Sequence, residues 1–397
     1  MAAIQYVLVG GGLAAASAVE GIRELDKTGV ITILAAERDL PYHRPPLSKG
    51  YLAGKEPLES VRIHDAAWYR DQKVRVRLGA RAKSVHIGKQ GVTLESGERV
   101  PYDRLLIATG SSARKLSVPG ADLHGLLYLR TLLDSTELKR SITPGRKLVI
   151  VGGGFVGMEV AATARGLGAF VTVLEAGPVV YRAFASPDIS AFFEKLLSSH
   201  GVGVRTNKQV ERFLGSTSIS AVQTRDGEQI PADIALVGVG AEPNTGWLAT
   251  SGFSIDRGAL IVNVRLETPA KNVWAAGDIA RFVDPVSRQP RRLEHWDNAQ
   301  AQGKHAGRNM AGANEPYTHQ SAFFSDMFDL TINVFGETEQ PEKVEIRGSM
   351  DLAQPSFTAL YTRAGKLVGA ATVNRASEDR SAEFESLQKA IVSGKTN

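Results

Sequence analysis

Two glycine-rich turns, each placed between a short apolar run and a stretch of small residues, constrain the fold of this chain most strongly. The first turn, Gly10-Gly11-Gly12, follows an apolar run that starts at Ile4. Such a run before glycines is typical of a buried parallel strand, and the small residues after them indicate a helix. Gly10 would make the tight bend, Gly12 would let a phosphate approach the backbone, and Ala15 stands where the helix packs against the strand.

A second apolar strand and an acidic residue complete this first pattern. The strand is predicted over residues 30–34, and Glu37 lies just beyond it. A carboxylate at that position accepts hydrogen bonds from an adenosine ribose, and the free N–H groups at the helix N-terminus attract the phosphates. The order strand, turn, helix, strand and acid therefore predicts a dinucleotide-binding fold rather than a plain glycine loop.

The same pattern recurs in the middle of the chain. A strand over residues 147–151 leads into a turn that keeps all three glycines, and a helix is predicted over residues 158–167. The next strand, residues 170–174, ends in Glu175. Two dinucleotide folds in one chain predict one site for a tightly held flavin dinucleotide and one for an exchanging nicotinamide dinucleotide.

The second acid predicts which nicotinamide coenzyme is used. Glu175 favours NADH over NADPH because its carboxylate would repel the 2′-phosphate. Arg182, a few residues further on, would weaken that preference.

The absence of cysteine from the 397 residues excludes a large part of flavoenzyme chemistry. Without cysteine the chain forms no disulfide, no zinc–thiolate site and no iron–sulfur ligation of its own. Relay of electrons through a protein dithiol or a cysteine sulfenic acid is excluded as well. The histidines are scattered singly without metal-ligand spacing, so no metal site is predicted.

The net charge of +5 is compatible with an acidic protein partner, a nucleic acid or neither. In the densest basic stretch, Lys73, Arg75 and Arg77 alternate with valines, as in a strand with one wet face. This interpretation is favoured over a nucleic-acid patch because no aromatic residues are interleaved. No signal-peptide pattern and no apolar run of about 18 residues is present, so we expect a cytoplasmic protein without a membrane span.

Four further segments resemble one family along essentially the whole chain. The nine residues from Pro41 to Lys49, Pro-Tyr-His-Arg-Pro-Pro-Leu-Ser-Lys, resemble the signature of ferredoxin reductases of oxygenase systems. Segments 106–110, 237–244 and 273–278 resemble the two crossings between domains and the second flavin motif. The chain is thus similar to FAD-dependent pyridine nucleotide-disulfide oxidoreductases of the ferredoxin reductase, monodehydroascorbate reductase and apoptosis-inducing factor branch.

This resemblance implies an α/β fold with two Rossmann-like dinucleotide-binding domains of the glutathione reductase type and a C-terminal α+β domain. The implied boundaries are 1–112 and 240–316 for a discontinuous FAD domain, 113–239 for the NAD domain and 317–397 for the C-terminal domain.

The resemblance and the glycine turns together imply two sets of cofactor contacts. The FAD set is Gly10, Gly12, Ala15, Glu37, Arg44, Lys49, Ala82, Thr109, Gly110, Gly277, Asp278, Glu294, His295, Trp296 and Phe324. The NAD set is Gly152, Gly154, Phe155, Val156, Gly157, Glu159, Glu175, Arg182, Gly238, Val239 and Gly240.

Three of these residues are implied to act in catalysis: Lys49, Glu159 and Trp296. In the family, the lysine lies near the reactive flavin nitrogen and pairs with the glutamate, which keeps a buried ammonium charged. The alternative is that Lys49 and Glu159 form an ion pair that joins two domains without a catalytic role. The family also points the helix after Trp296 at the pyrimidine end of the flavin, where its dipole would stabilise the reduced form. Simple core packing of this tryptophan is the alternative.

The C-terminal domain leaves the electron acceptor open. Phe324 stands where ferredoxin reductases and apoptosis-inducing factor often have tryptophan, while Phe328 and Phe335 look more like monodehydroascorbate reductase. The first interpretation is single-electron delivery to a small acidic 2Fe–2S ferredoxin of an oxygenase or P450 system. The second is reduction of a small acceptor such as monodehydroascorbate or a quinone. The third is a flavoprotein, similar to apoptosis-inducing factor, that changes partners when NADH reduces it. A monomer or a homodimer is expected.

Overall fold

The computed structural model of this protein describes residues 3–285 and 287–393. The chain forms two compact units, each assembled from several segments. The first unit consists of Met1–His43, Leu58–Ser112 and Ala241–Ser321, and the second of Arg44–Pro57, Ala113–Gly240 and Ala322–Asn397. The second unit thus contains both the predicted NAD segment and most of the predicted C-terminal segment, and the three-domain division stays a prediction.

A five-stranded parallel sheet forms the centre of the first unit. Four of its strands are largely buried apolar runs, as expected for a parallel sheet covered by helices. The strands, in spatial order, are Val273–Ala275, Arg104–Ile107, Gln5–Val9, Val30–Leu34 and Val74–Arg77. The basic strand predicted from its alternating pattern therefore lies at one edge of this sheet, with Val74 buried and Arg75 exposed.

Two long helices of the first unit, Leu13–Leu25 and Trp296–Met310, pack closely against each other. The other helical segments are Leu58–Val61 and Ala66–Asp71, with short 3-10 turns at Ile87–Lys89, Gly246–Leu248 and Gly277–Ile279. Two small sheets complete the unit. Their strands are Ala82–His86, Gly91–Leu94 and Arg99–Pro101 in one, and Ile255–Asp256, Ala259–Ile261, Ala280–Val283 and Pro290–Arg291 in the other. The short strands Ser111–Ala113 and Ala241–Pro243 lie where the chain passes between the units.

The second unit repeats the parallel arrangement. Its five parallel strands, in spatial order, are Gly203–Arg205, Phe170–Leu174, Lys147–Val151, Ile234–Val237 and Leu126–Tyr128. Three helices accompany this sheet: Leu132–Ser141, Phe155–Gly166 and Pro187–Ser199. A three-stranded antiparallel sheet is formed by Val210–Gly215, Ile219–Thr224 and Gln229–Pro231, and 3-10 turns occur at Pro45–Ser48 and Arg182–Phe184.

The C-terminal segment of the second unit is an antiparallel five-stranded sheet closed by a helix. The strands, in spatial order, are Ala322–Met327, Leu330–Gly336, Lys366–Arg375, Ser356–Arg363 and Lys343–Ser349, and the helix is Ser381–Ser393. This α+β segment and the two parallel sheets confirm the predicted fold class. None of the helices within 3–285 and 287–393 has both the length and the apolar character needed to cross a membrane.

The predicted start of the helix after the second glycine turn is wrong. The helix begins at Phe155 and ends at Gly166, whereas the sequence pattern placed it over residues 158–167. Gly154 already serves as the residue that precedes the helix, so its first turn forms directly after the glycines.

Candidate functional site

The first glycine turn leaves open space at the start of a helix. Gly10 adopts a φ of +132°, and a Cβ atom placed there would lie 2.1 Å from the carbonyl oxygen of Ala108, so only glycine fits. At Gly12, which precedes the helix Leu13–Leu25, an added Cβ would meet nothing within 4 Å. Ala15 is fully buried in the helix. The turn thus has the shape of a cradle for a phosphate group.

The second glycine turn has the same geometry. Gly152 adopts a φ of +114°, and a Cβ atom there would lie 2.2 Å from the carbonyl oxygen of Gly238. Gly154 again faces open space, and an added Cβ at Gly157 would lie 2.4 Å from the Gly152 carbonyl oxygen. Val156, in the first turn of the helix, has 46% of its surface exposed. The two turns are therefore equivalent structures on two different sheets.

Six of the helix N-termini fall into two groups. Three helices begin after a side chain that accepts a hydrogen bond from the helix backbone, provided by Asp65, Thr131 and Ser186. The helices that start at Leu13, Phe155 and Trp296 begin after a residue that provides no such side-chain cap. The uncapped N-termini keep N–H groups and a partial positive charge available for an anionic ligand. They are the three helices that the sequence assigned to cofactor contacts.

The two predicted ribose acids are both held in place by neighbouring groups. The carboxylate of Glu175 accepts hydrogen bonds from the backbone N–H groups of Gly153, at 2.8 Å, and Gly177, at 2.7 Å. The carboxylate of Glu37 accepts a hydrogen bond of 2.5 Å from the hydroxyl of the buried Tyr42. Glu175 is thus fixed beside its glycine turn, Glu37 is held by a tyrosine, and a carboxylate has acceptor sites enough for ribose hydroxyls as well. Arg182 is exposed on the 3-10 turn after the second acid.

Lys49 and Glu159 meet in the second unit, where the lysine Nζ lies 3.0 Å from Glu159 Oε1. The Glu159 side chain is 7% exposed and that of Lys49 17%. Two buried hydroxyl groups also donate to this carboxylate: Ser48 to Oε2, and Ser325 to Oε1 at 2.6 Å. Burial, and then the negative charge of Glu159, raise the pKa of Tyr181 well above its usual value. Three donors thus hold one buried carboxylate, so its hydrogen-bonding capacity is used within the protein.

Two residues of the C-terminal sheet lie on the exposed side of this lysine. Lys49 Nζ is 3.8 Å from Asp326 Oδ2 and 5.2 Å from the centre of the Phe324 ring, which is 44% exposed. The ring face of Phe324 therefore contributes a cation–π contact to the ammonium. We call Ser48, Lys49, Glu159, Ser325 and Asp326 the lysine–carboxylate cluster.

Trp296 is held by a histidine from the signature segment of the first unit. Its indole N–H donates to His43 Nδ1 at 2.9 Å, and burial, together with the charge of His64, lowers the pKa of His43. The neighbouring His295 lies 3.2 Å from the hydroxyl of Ser321. Burial, and then the positive charge of Arg291, lower the pKa of His295 to about 4. His295 is therefore neutral at pH 7.

The residues of the predicted second flavin motif are hydrogen-bonded to a helix and to the segment that follows the strand Arg104–Ile107. Gly277, at φ +79°, donates its N–H to the side-chain oxygen of Gln302, which is fully buried in the helix Trp296–Met310. Asp278 accepts a hydrogen bond of 2.6 Å from the buried hydroxyl of Ser111. These contacts fix the motif turn against the helix whose N-terminus is uncapped.

The two crossings are joined by one asparagine. Asn244 donates its amide to the carbonyl oxygen of Thr109 at 3.0 Å, and its own carbonyl oxygen accepts from the Thr109 hydroxyl at 2.9 Å. The backbone N–H of Asn244 bonds the carbonyl oxygen of Gly110, also at 2.9 Å. Sequence reasoning quoted this asparagine only as part of a motif.

The remaining predicted residues lie at separate positions. Arg44 donates to the carbonyl oxygen of Arg130, and Ala82 is half-buried at the start of a small sheet. Glu294 is exposed and paired with Arg292 at 2.6 Å. Phe155 packs edge-on against the rings of Tyr181, Phe184 and Phe323. Val239 is partly buried, and Gly240 is exposed at a φ of +104°. The contacts of the described residues group Arg44, Lys49 and Phe324 with the predicted NAD residues, in the second unit.

The residues around the first turn fit an adenine dinucleotide. The open space at Gly12, the uncapped helix that follows it and the carboxylate of Glu37 supply a phosphate cradle and a ribose acceptor. Among the part of the chain that the structure describes, no group of three or more acidic, histidine or cysteine side chains is arranged to hold a metal ion.

The geometry of both units is that of a protein with two dinucleotide sites, and the comparisons with known proteins agree. The family model for pyridine nucleotide-disulphide oxidoreductases matches residues 4–303, and a model described as the reductase C-terminal domain matches residues 322–395. The chain belongs to the pyridine nucleotide-disulphide oxidoreductase family. Membership of this family implies binding of FAD and NAD(P)H.

Three relatives show the range of this similarity. The ferredoxin–NAD(+) reductase component of the biphenyl dioxygenase system of Paraburkholderia xenovorans (strain LB400) is 37% identical over 88% of this chain and 85% of its own length. A ferredoxin–NAD(P)(+) reductase of Sphingomonas sp. is 34% identical over 93% of this chain and 89% of its own length. The crystal structure of the covalent putidaredoxin reductase–putidaredoxin complex aligns with a TM-score of 0.93 and 32% identity, covering 100% of this chain and 94% of that chain.

Sequence reasoning missed most of the residues that hold the predicted ones. Ser48, Ser325 and Asp326 surround the lysine and its glutamate, His43 holds Trp296, and Tyr42 holds the first ribose acid. Ser48 and His43 lie within the signature segment, so their proximity to Lys49 along the chain was the only available signal.

Proposed function

We propose that this protein is an NADH-dependent flavoprotein reductase that passes electrons through FAD to a small iron–sulfur ferredoxin of an oxygenase or P450 system. The observation that carries the proposal is the set of three uncapped helix N-termini, two of them behind glycine cradles. The likeness of the whole chain to ferredoxin reductases supports the choice of acceptor.

The glycine cradles and their acids bind the two dinucleotides. In the first unit, the N-terminus of helix Leu13–Leu25 receives the pyrophosphate of FAD and Glu37 receives the ribose. In the second unit, the N-terminus of helix Phe155–Gly166 and Glu175 do the same for NADH. The chemistry that FAD would supply when held by these residues is acceptance of a hydride and release of two electrons one at a time.

Within the lysine–carboxylate cluster, the ammonium of Lys49 is a positive charge held in a fixed position. Ser48 and Ser325 donate hydrogen bonds that fix the carboxylate of Glu159. This fixed carboxylate in turn holds the ammonium of Lys49 in one position. A charge fixed before the reaction stabilises a developing negative charge without reorganisation. The uncapped N-terminus at Trp296 acts in the same sense, because its partial positive charge favours an anion.

The acceptor is a protein of acidic surface with a 2Fe–2S cluster. The chain has a net charge of +5, which favours association with an acidic partner. It has no cysteine, so electrons leave the flavin without passing through a thiol of this chain. A cytoplasmic location and a monomeric or homodimeric state belong to this proposal as predictions.

Anaerobic stopped-flow mixing tests the proposal. The FAD-loaded protein is mixed with NADH, and then with a 2Fe–2S ferredoxin. Fast bleaching of the flavin followed by fast ferredoxin reduction is the expected result. Fast bleaching with a persistent long-wavelength band and no transfer to ferredoxin would instead favour a small one-electron acceptor or an NADH-responsive flavoprotein. No bleaching by NADH would overturn the proposal as a whole.

The choice of NADH over NADPH is tested by Glu175→Ala. Because the carboxylate accepts ribose hydroxyls and repels a 2′-phosphate, the substitution should reduce kcat/KM for NADH more than for NADPH. Asp233→Asn, in the same unit, is a control, since Asp233 bonds the backbone N–H of Lys147 at the opposite end of the sheet. An unchanged ratio of the two coenzymes in Glu175→Ala would show that this residue does not contact the ribose.

A further inference from the structure

Two basic side chains start from backbone positions on either side of Glu175. The N–H of Glu175 donates to the carbonyl oxygen of Arg205, and the N–H of Lys208 donates to the carbonyl oxygen of Glu175, both at 2.9 Å. Arg205 ends the strand Gly203–Arg205, which pairs in parallel with Phe170–Leu174. Both cations therefore emerge at the sheet edge where a dinucleotide fold receives the adenosine ribose.

Both cations are already engaged by acids of one turn. The turn joins strands Ile219–Thr224 and Gln229–Pro231, and it presents Asp226 and Glu228. Glu228 forms ion pairs with Arg205 and, at 2.7 Å, with the Nζ of Lys208.

The turn itself is fixed, so its acids are held in position. The hydroxyl of Thr224 donates to Asp226 Oδ1 at 2.5 Å, and Asp226 in turn pairs with Lys208. The side chain of Glu228 is 30% exposed and that of Lys208 is 23% exposed. Water screens such a pair less than a fully exposed one.

A 2′-phosphate needs a cation at this position. Dinucleotide folds that use NADPH place an arginine near the ribose, whereas those that use NADH place an acid there. This chain has the acid, Glu175, and also has two cations beside it, so the acid alone does not determine the local charge.

We propose that Glu228 is a specificity-determining residue for the coenzyme, because it holds Arg205 and Lys208 in ion pairs and so withholds them from a 2′-phosphate. The inference rests on the proposed function, since it assumes that Glu175 marks the ribose of NADH. It adds that NADH preference depends on a residue 53 positions further along the chain, outside the glycine motif.

The test compares Glu228→Gln with a variant of equal charge change. Glu211→Gln is the control, because Glu211 is exposed in the same antiparallel sheet and contacts Gln223 rather than either cation. Binding of adenosine 2′,5′-bisphosphate and of AMP to the FAD-loaded protein is measured by calorimetry, and kcat/KM is measured with NADPH and NADH. Circular dichroism checks that each variant is folded. Asp226→Asn is a second variant that removes one of the two acids paired with Lys208 and leaves Glu228 paired with both cations.

Glu228→Gln should raise the preference for the 2′-phosphorylated ligand over AMP by roughly tenfold, as one new charge-assisted contact to a phosphate predicts. This gain in preference for the 2′-phosphorylated ligand should be smaller at high salt. It should also be smaller in Asp226→Asn, and it should be absent from the double variant Glu228→Gln/Arg205→Gln. A change in Glu228→Gln no larger than that in Glu211→Gln would overturn the inference, while wild-type use of NADH would leave the proposed function standing. A wild-type protein that binds neither AMP nor NADH would overturn both.

Discussion

Substitution of Gly307 by alanine should destabilise the first unit through one steric contact. Gly307 lies in the helix Trp296–Met310, which crosses the helix Leu13–Leu25 at very close range. A Cβ atom at Gly307 would lie 2.2 Å from the carbonyl oxygen of Ala18 and 2.9 Å from its carbonyl carbon. Ordinary van der Waals contact begins at 3.4 Å, so the two helices would have to separate by more than 1 Å. The neighbour is backbone, so no side-chain rotation can relieve the overlap.

The magnitude follows from two opposing contributions. Alanine in place of glycine inside a helix is favourable by about 0.5–1 kcal/mol. Overpacking of a close contact costs about 1–3 kcal/mol, and a rigid backbone neighbour places this case at the upper end. The expected net loss is about 2 kcal/mol in the free energy of unfolding. For a unit of this size, that loss lowers Tm by roughly 4–8 °C.

The assay is thermal unfolding of the FAD-loaded protein, followed by far-ultraviolet circular dichroism and by flavin fluorescence. Gly246→Ala is the matched control in the same unit, because a Cβ atom there meets nothing within 4 Å and the backbone has no positive φ. This control should leave Tm unchanged or raise it slightly. A Gly307→Ala protein with a Tm equal to or above that of the wild type would refute the steric reasoning.

Three other outcomes follow from the site. Glu159→Gln should lower the free energy of unfolding by about 1–3 kcal/mol in chemical denaturation, because it removes the buried partner of an ammonium. Asp326→Asn should lower it by less than about 1 kcal/mol, because the Asp326 side chain is 42% exposed. Equal losses in the two variants would contradict the assigned geometry. The pKa of His295 is near 6.5 in the unfolded chain and about 4 in the folded protein, so the free energy of unfolding should fall as the pH drops from 6.5 to 4. His295→Gln should flatten this dependence of the unfolding free energy on pH. The same dependence in the variant and the wild type would argue against a buried neutral imidazole. His43→Ala should move one of the four indole N–H resonances upfield in a nitrogen-15 tryptophan spectrum, because Trp296 loses its hydrogen-bond acceptor. His43→Asn keeps an acceptor oxygen and should shift that resonance less. Four unmoved resonances in His43→Ala would disprove the hydrogen bond.

Three central strands of the parallel sheets could be predicted because burial on both faces requires a short run of apolar residues, which is visible in the sequence. Residues 30–34, 147–151 and 170–174 read as short apolar runs next to glycine or acid, and the structure has strands with these bounds. The helix after the second turn was misplaced because Phe155 and Val156 carry no helical signal of their own. Its start is set by the glycine that precedes it, which a hydrophobic pattern does not report.

The hydroxyl and charged partners within the site could not be predicted in the same way. Ser48, Glu159 and Ser325 are separated by more than a hundred residues along the chain, and nothing in a serine reveals which carboxylate it will meet. Arg205 and Glu228 are ordinary surface residues in the sequence, and only the turn between two strands brings them together. Such contacts depend on tertiary packing, which local patterns do not encode.

The contents of the lysine–carboxylate cluster bear on how electrons leave the protein. Other members of a family described by disulphide chemistry can relay electrons through thiols, but this chain has no cysteine. The cluster consists of one ammonium, two carboxylates and two hydroxyl groups, none of which can relay electrons as a thiol pair does. Under the proposed function, electrons would therefore pass from the flavin to the acceptor without a thiol relay in this chain. Selection among acceptors would then depend on surface shape and charge, so the acidic ferredoxin that we propose would be selected by docking rather than by chemistry inside this chain.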